Sequence, residues 1–182
     1  GQFAEALAAF TAVIQQNPNT PLVAEAQLRQ GYCHLQTRNF AEAVKCLQPL
    51  AGHPQLGDQA TWWMGRAIAS GADPNNAQAY AQALAQACDH LRRAADLANQ
   101  QKDKDPQAKV RRGDILMELA DTQVLARQFK EASATLQQVR QENNNPDRVE
   151  EALQRQIVAL QLSGMYKESD ALCGEFEKTY PK

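Results

Sequence analysis

A chain of 182 residues, 43% of them apolar and spread along its length, can bury a continuous core and does not have the composition of a disordered segment. Its formal charge is −2 with both signs interspersed, so it lacks the basic face of a nucleic-acid binder. The basic doublets Arg92-Arg93 and Arg111-Arg112 have acidic neighbours and read as solvated helix faces. No apolar run approaches the ~18–20 residues of a membrane span.

The first predicted helix covers residues 1–16, with Phe3, Ala6, Leu7, Phe10, Val13 and Ile14 on one face. Asn17-Pro18-Asn19-Thr20-Pro21 stops it, because proline removes a donor and clashes with the preceding turn. Helices follow at 22–36 and 40–50, turning at Thr37-Arg38-Asn39, and Gly52, Pro54 and Gly57 break the chain again. The next helix, 58–69, carries Trp62, Trp63, Met64, Ala67 and Ile68 and runs into a loop of turn formers at 70–76. A long helix at 77–100 ends at Lys102 to Pro106. The remaining helices fall at 107–126, 129–141, 149–162 and 166–179, with breaks at Asn143 to Pro146 and Ser163-Gly164. No alternating β-branched run is long enough to suggest a strand.

The second helix of each pair repeats one signature of aromatic, acid, small and apolar residues. It reads Phe3/Glu5/Ala6/Phe10, Phe40/Glu42/Ala43/Leu47, Phe129/Glu131/Ala132/Leu136 and Tyr166/Glu168/Ser169/Cys173. Phe3 to Phe40 and Phe129 to Tyr166 are both 37 residues. Tyr80, Ala83 and Ala87 divide the 89 residues between them into 40 and 49, so a third repeat is expected there, stretched by an insertion at 70–76. A fixed period of helix pairs means a solenoid, in which each pair buries its apolar side on its neighbours.

These features resemble the tetratricopeptide-repeat family. In that family the first helix of each pair carries a small residue, here Gly31, Gly65 and Ala120, with Ile157 a departure. The second carries an alanine, here Ala6, Ala43, Ala83 and Ala132 with Ser169 in the last copy, and closes at prolines such as Pro18 and Pro181. The resemblance implies an all-α, right-handed superhelix of about four and a half pairs, as one domain: a half repeat at 1–18, repeats at 22–54, 107–142 and 149–181, and an extended one at 58–101. The 37-residue spacing and the junctions resemble bacterial cell-envelope repeats, which points to a periplasmic or envelope setting with the cytoplasm as alternative. Because the chain starts and ends on a second helix, it is expected to be part of a longer array, or to shield its ends by self-association.

What the family does sets the functional expectation. First helices line the concave side and hold a peptide or helix of another protein. Mapped onto this chain, that face takes Leu28, Tyr32 and Gln36, then Trp62, Arg66 and Ser70, then Met117, Asp121 and Val124, then Gln154, Val158 and Gln161, bordered by Trp63, Glu118 and Arg155. Trp, Tyr, Met and Arg are the residue types enriched at interfaces; Trp63 is the tryptophan expected in the core. The partner-binding set is therefore Leu28, Tyr32, Trp62, Arg66, Met117, Asp121 and Arg155. The lysines and asparagines with which relatives grip an acidic chaperone tail are missing, which favours an apolar or mixed peptide.

Chemistry beyond binding finds little support. Cys33, Cys46, Cys88 and Cys173 stand apart without a CxxC and suit apolar helical faces. Cys33 and His34 diverge by about a quarter turn, which disfavours a zinc site with Cys46 and His53. Asp89-His90 has no nucleophile beside it, and no glycine-rich phosphate loop exists. Glu5, Glu42, Glu131 and Glu168 recur at helix starts, where the dipole favours acids. The expectation is a non-catalytic interaction scaffold with no cofactor and no metal, the alternative being a module that oligomerises through its end helices.

Overall fold

The computed structural model describes residues 2–181; Gly1, placed by the sequence at the head of the first helix, lies outside them. The order is α1 (Gln2–Gln16), α2 (Leu22–Gln36), α3 (Phe40–Leu47), α4 (Gly57–Ser70), α5 (Ala77–Gln101), α6 (Pro106–Leu125), α7 (Phe129–Glu142), α8 (Val149–Leu162) and α9 (Tyr166–Thr179), with no strand among the described residues. Short 3-10 turns cover Gln48–Leu50 and Pro146–Arg148. The first of these is where the predicted helix 40–50 stops being α-helical: Pro49 has no amide to continue the ladder, and the turn tightens. By compactness the chain divides into two units, Gly1–Leu97 and Ala98–Lys182, with the division inside α5.

Three of the helix connections share one backbone solution. Arg38, Arg127 and Gly164 hold positive φ values of 60°, 59° and 79°. The next amide then reaches back over the helix end: Asn39 to the His34 carbonyl at 2.8 Å, Gln128 to Gln123 at 2.8 Å, and Met165 to Leu160 at 2.9 Å. This left-handed closure satisfies carbonyls that the helix end would otherwise orphan. The helices that follow, α3, α7 and α9, start without a side-chain cap. Their first turns carry the exposed acids Glu42, Glu131 and Glu168, whose charge answers the uncapped amides.

Within each pair, one small residue decides how close the helices come. A Cβ on Gly31 would lie 2.5 Å from Cγ and Cδ2 of Leu47. On Gly65 it would lie 2.9 Å from Leu91 Cγ and 3.2 Å from the Ala87 carbonyl oxygen. Both leucines are fully buried, so the space a side chain would have taken is filled by the partner helix. In the last pair the sizes are exchanged. Ile157 stands at the small position and Cys173 at the large one, while buried Ser169 donates to the Ile157 carbonyl at 3.4 Å.

The Gly65 contact corrects the register expected for the third repeat. Sixteen residues separate Gly31 from Leu47, and twenty-six separate Gly65 from Leu91. The residues matching Phe40, Ala43 and Leu47 are therefore Leu84, Ala87 and Leu91, one helical turn after Tyr80, Ala83 and Ala87. Burial agrees: Leu84, Ala87 and Leu91 are core, whereas Ala83 is only partly covered. Tyr80 attracted the assignment because it is aromatic, but in this repeat the position is filled by leucine. The added residues make the loop and the first turns of α5, where Asn76 Oδ1 accepts the Ala79 amide at 3.1 Å and residues 73–79 are exposed.

In the second unit, α6 is tied down through polar groups. Asp105 caps it by accepting the Gln107 amide at 2.9 Å and also accepts from Arg111 at 2.9 Å. Arg112 forms a two-pronged pair with Glu142 at 2.7 and 2.8 Å, and its side chain is almost wholly covered. The doublet Arg111-Arg112 is thus not a solvated face. The acidic partner of Arg112 stands thirty residues away, beyond the reach of a local charge pattern. Gly113 lets the loop before α8 press in: a Cβ there would be 2.8 Å from that of Asn145. Asp114 then takes hydrogen bonds from Asn145 at 3.1 Å and Arg148 at 2.8 Å.

Candidate partner-binding surfaces

In the first unit, α2 and α4 lie side by side and carry the expected aromatic row. Trp63 is buried and tilts against Tyr32 with ring centroids 4.8 Å apart, and Phe3 meets Tyr32 edge-on at 6.4 Å. Trp62 is half-buried, with the Arg66 guanidinium 5.2 Å from its ring centre. Trp63 is therefore the core tryptophan and Trp62 the one at the surface. Arg66 also joins Gln36 and Ser70, two further residues of the expected row, around a cavity of about 670 Å³ that Leu35, Arg38 and Phe40 complete.

The second unit brings the expected residues together more tightly. Asp121, Val124, Gln154, Arg155 and Val158 line one cavity of about 550 Å³ between α6 and α8, floored by Ala120 and Leu136. Leu125 and Val158, both more than half exposed, form its apolar end, and Leu162 lies half exposed one turn further along α8. At the other end Arg155 bridges the two helices, pairing with Asp121 on α6 and with Glu151 on its own helix. Glu151 is also held by Arg148 at 2.8 Å. Burial acts to raise the Glu151 carboxyl, but the Arg148 hydrogen bond and the charges of Arg155 and Arg148 outweigh it and keep the group below its ordinary range.

Two residues of the expected set belong elsewhere. Leu28 has no exposed area and packs in a core with Leu35, Leu47, Leu50, Trp63 and Met64; Met117 is 4% exposed. The buried stripe of a packed helix is wider than a single row, and both residues fall on its inner edge. Leu125 was missed, although it follows Asp121 by four residues and so shares its face. A second cavity of about 740 Å³, between α7 and α9 over Gln156 and Leu160, was also missed. Its walls include Ala134 and Ala171, small residues 37 apart, a signal visible only once α7 and α9 are known to flank a gap.

Asp89 is exposed and accepts from Arg92 at 2.8 Å, and burial, helped by the charge of Arg93, pushes His90 below its usual value. All four cysteines are free, and burial raises the thiols of Cys33, Cys46 and Cys88. Among the described residues no three His, Cys, Asp or Glu side chains gather as a metal set, and no helix is long and apolar enough to cross a membrane.

Residues 1–68 match the family model described as tetratricopeptide repeat. The crystal structure of MamA protein shares the fold along the whole chain, with a TM-score of 0.67 at 19% identity, covering 100% of this chain and 88% of that one. The fold is of the tetratricopeptide-repeat kind. No curated protein matches it. The described residues are all-α, as expected, and tetratricopeptide-repeat proteins are generally non-catalytic interaction scaffolds.

Proposed function

We propose that this chain binds a peptide or helix of another protein along its first-helix faces. The observation that carries this reading is the cavity between α6 and α8, where residues mapped from the family's concave face surround an apolar opening. Half-exposed aliphatic side chains beside a preformed cavity are the arrangement into which a partner's anchor residue docks at little ordering cost. The Trp62–Arg66 pair offers a second contact patch on the first unit, with an aromatic face of the type enriched at interfaces.

The test is substitution at the surface. Val158→Glu places a charge at the apolar end, and partner capture by the full chain should fall at least roughly tenfold while helicity and thermal midpoint stay unchanged. Trp62→Ala should weaken capture without loss of helicity. Capture unaffected by Val158→Glu removes the α6/α8 assignment.

A second reading, self-assembly through the end helices, draws on α1, which buries none of its residues fully and leaves Phe3 44% exposed. Sedimentation over a wide concentration range decides it: a strict monomer at high concentration rejects this reading.

A further inference from the structure

The α6/α8 cavity has two chemically different ends, and this asymmetry indicates what kind of segment it takes. Leu125, Val158 and Leu162 make one end aliphatic. Towards the other end the carboxylates of Asp114, Asp121, Glu150 and Glu151 outnumber the guanidiniums of Arg148 and Arg155. Those arginines are already engaged: Arg155 by Asp121 and Glu151, Arg148 by Asp114 and Glu151. Asp121 keeps about half of its side chain exposed, and exposed Glu150 accepts a long 3.3 Å bond from Gln154, a residue of the cavity wall. The excess negative charge therefore lies on the accessible carboxylates, while the positive charge is spent within the ladder.

We propose, building on the groove reading above, that the α6/α8 cavity selects a basic amphipathic segment. A large apolar side chain enters beside Val158, and a lysine or arginine reaches the Asp121/Glu150/Glu151 end. From Glu151 to Val158 is two turns of α8, so anchor and cation stand about 10 Å apart. In a helical partner the two are two turns apart on one face. An acidic segment meets like charge there and is rejected.

The experiment uses the full chain and three synthetic peptides blocked at both ends. The first carries one Phe and a pair of Lys two helical turns away; the second has Glu in place of Lys; the third has Ala in place of Phe. Fluorescence anisotropy should show the lysine peptide binding, the glutamate peptide roughly tenfold weaker, and affinity for the lysine peptide falling as salt is raised. Glu150→Gln, which leaves the arginine ladder intact, should weaken the lysine peptide about twofold and narrow its lead over the glutamate peptide. Val158→Glu should remove binding of the lysine peptide, and the alanine peptide should not bind. If the lysine and glutamate peptides bind equally while Val158→Glu still abolishes both, the charge selection is wrong and the groove stands. If neither peptide binds, or Val158→Glu changes nothing, the groove reading fails and this inference with it.

Discussion

Gly31 and Gly164 are both glycines, for unrelated reasons, and substitution separates them. At Gly31 the backbone is ordinary helix and the obstacle is Leu47, whose Cγ and Cδ2 would sit 2.5 Å from a new Cβ. Gly31→Ala gains about 1 kcal/mol of helix propensity but overpacks a closed core at a cost of ~1–3 kcal/mol. A net loss near 1 kcal/mol is expected in urea titration. Leu47→Val in the same chain should make the two changes less than additive, since they compete for the same space. At Gly164 nothing lies within 4 Å of a Cβ, and the constraint is its φ of 79°. Gly164→Ala should cost about 1 kcal/mol through backbone strain alone, read as a lowered denaturation midpoint with unchanged slope. The sequence pointed to both residues, Gly31 as a packing position and Gly164 as a turn. What it could not show is that Arg38 and Arg127 adopt the same left-handed backbone, because arginine carries no signal for it.

Helix positions were legible because apolar periodicity, proline and the turn formers agree. The register of α5 was not. There the repeat's aromatic is replaced by Leu84, and its Gly65 partner lies beyond a loop of altered length, so only the contact with Leu91 fixes it. The tie between α6 and α7 was hidden for a similar reason: Arg112 and Glu142 are distant in sequence. That pair carries a pH signature. The hydrogen bond from Arg112 is the main cause holding the Glu142 carboxyl below its ordinary value near 4.5; burial opposes it, and Gln138 and Asn144 add to it. A depressed carboxyl stabilises the fold fully above the unfolded value and ceases to do so as the pH falls through the folded one. Glu142→Gln should therefore lose about 2 kcal/mol at pH 7, and the difference from the parent chain should shrink as the pH drops below about 4.5. Chemical denaturation at several pH values checks both parts. A constant difference down to acid would show that the pair's charge does not contribute.

At the scale of the whole molecule, stability in a helical repeat is a sum of neighbour contacts, so damage should stay local. Gly31→Ala is expected to speed amide exchange in α2 and α3 before it affects α8 and α9. Uniform acceleration everywhere would instead mean that the chain opens as one cooperative body. Of the candidate sites, the α6/α8 cavity was the part most open to reading from sequence: Asp121, Val124, Gln154, Arg155 and Val158 follow from mapping the family's concave face onto the repeats. Leu28 and Met117 could not be separated from them, because spacing places a residue on a helix face but does not say where the core's edge falls.

Two six-residue connections of this chain differ in how they are fastened. Asn143 to Arg148 is clamped: Asn145 presses on Gly113, Asp114 holds Asn145 and Arg148, and Glu142 is locked to Arg112 at its start. The stretch around Asp73 to Asn76 faces water and bonds mainly to itself, Asp73 accepting from Asn75 at 2.9 Å. An epitope or fluorophore spliced after Pro74 thus has room to emerge without prising helices apart, whereas the same graft at Asn144 would work like a wedge.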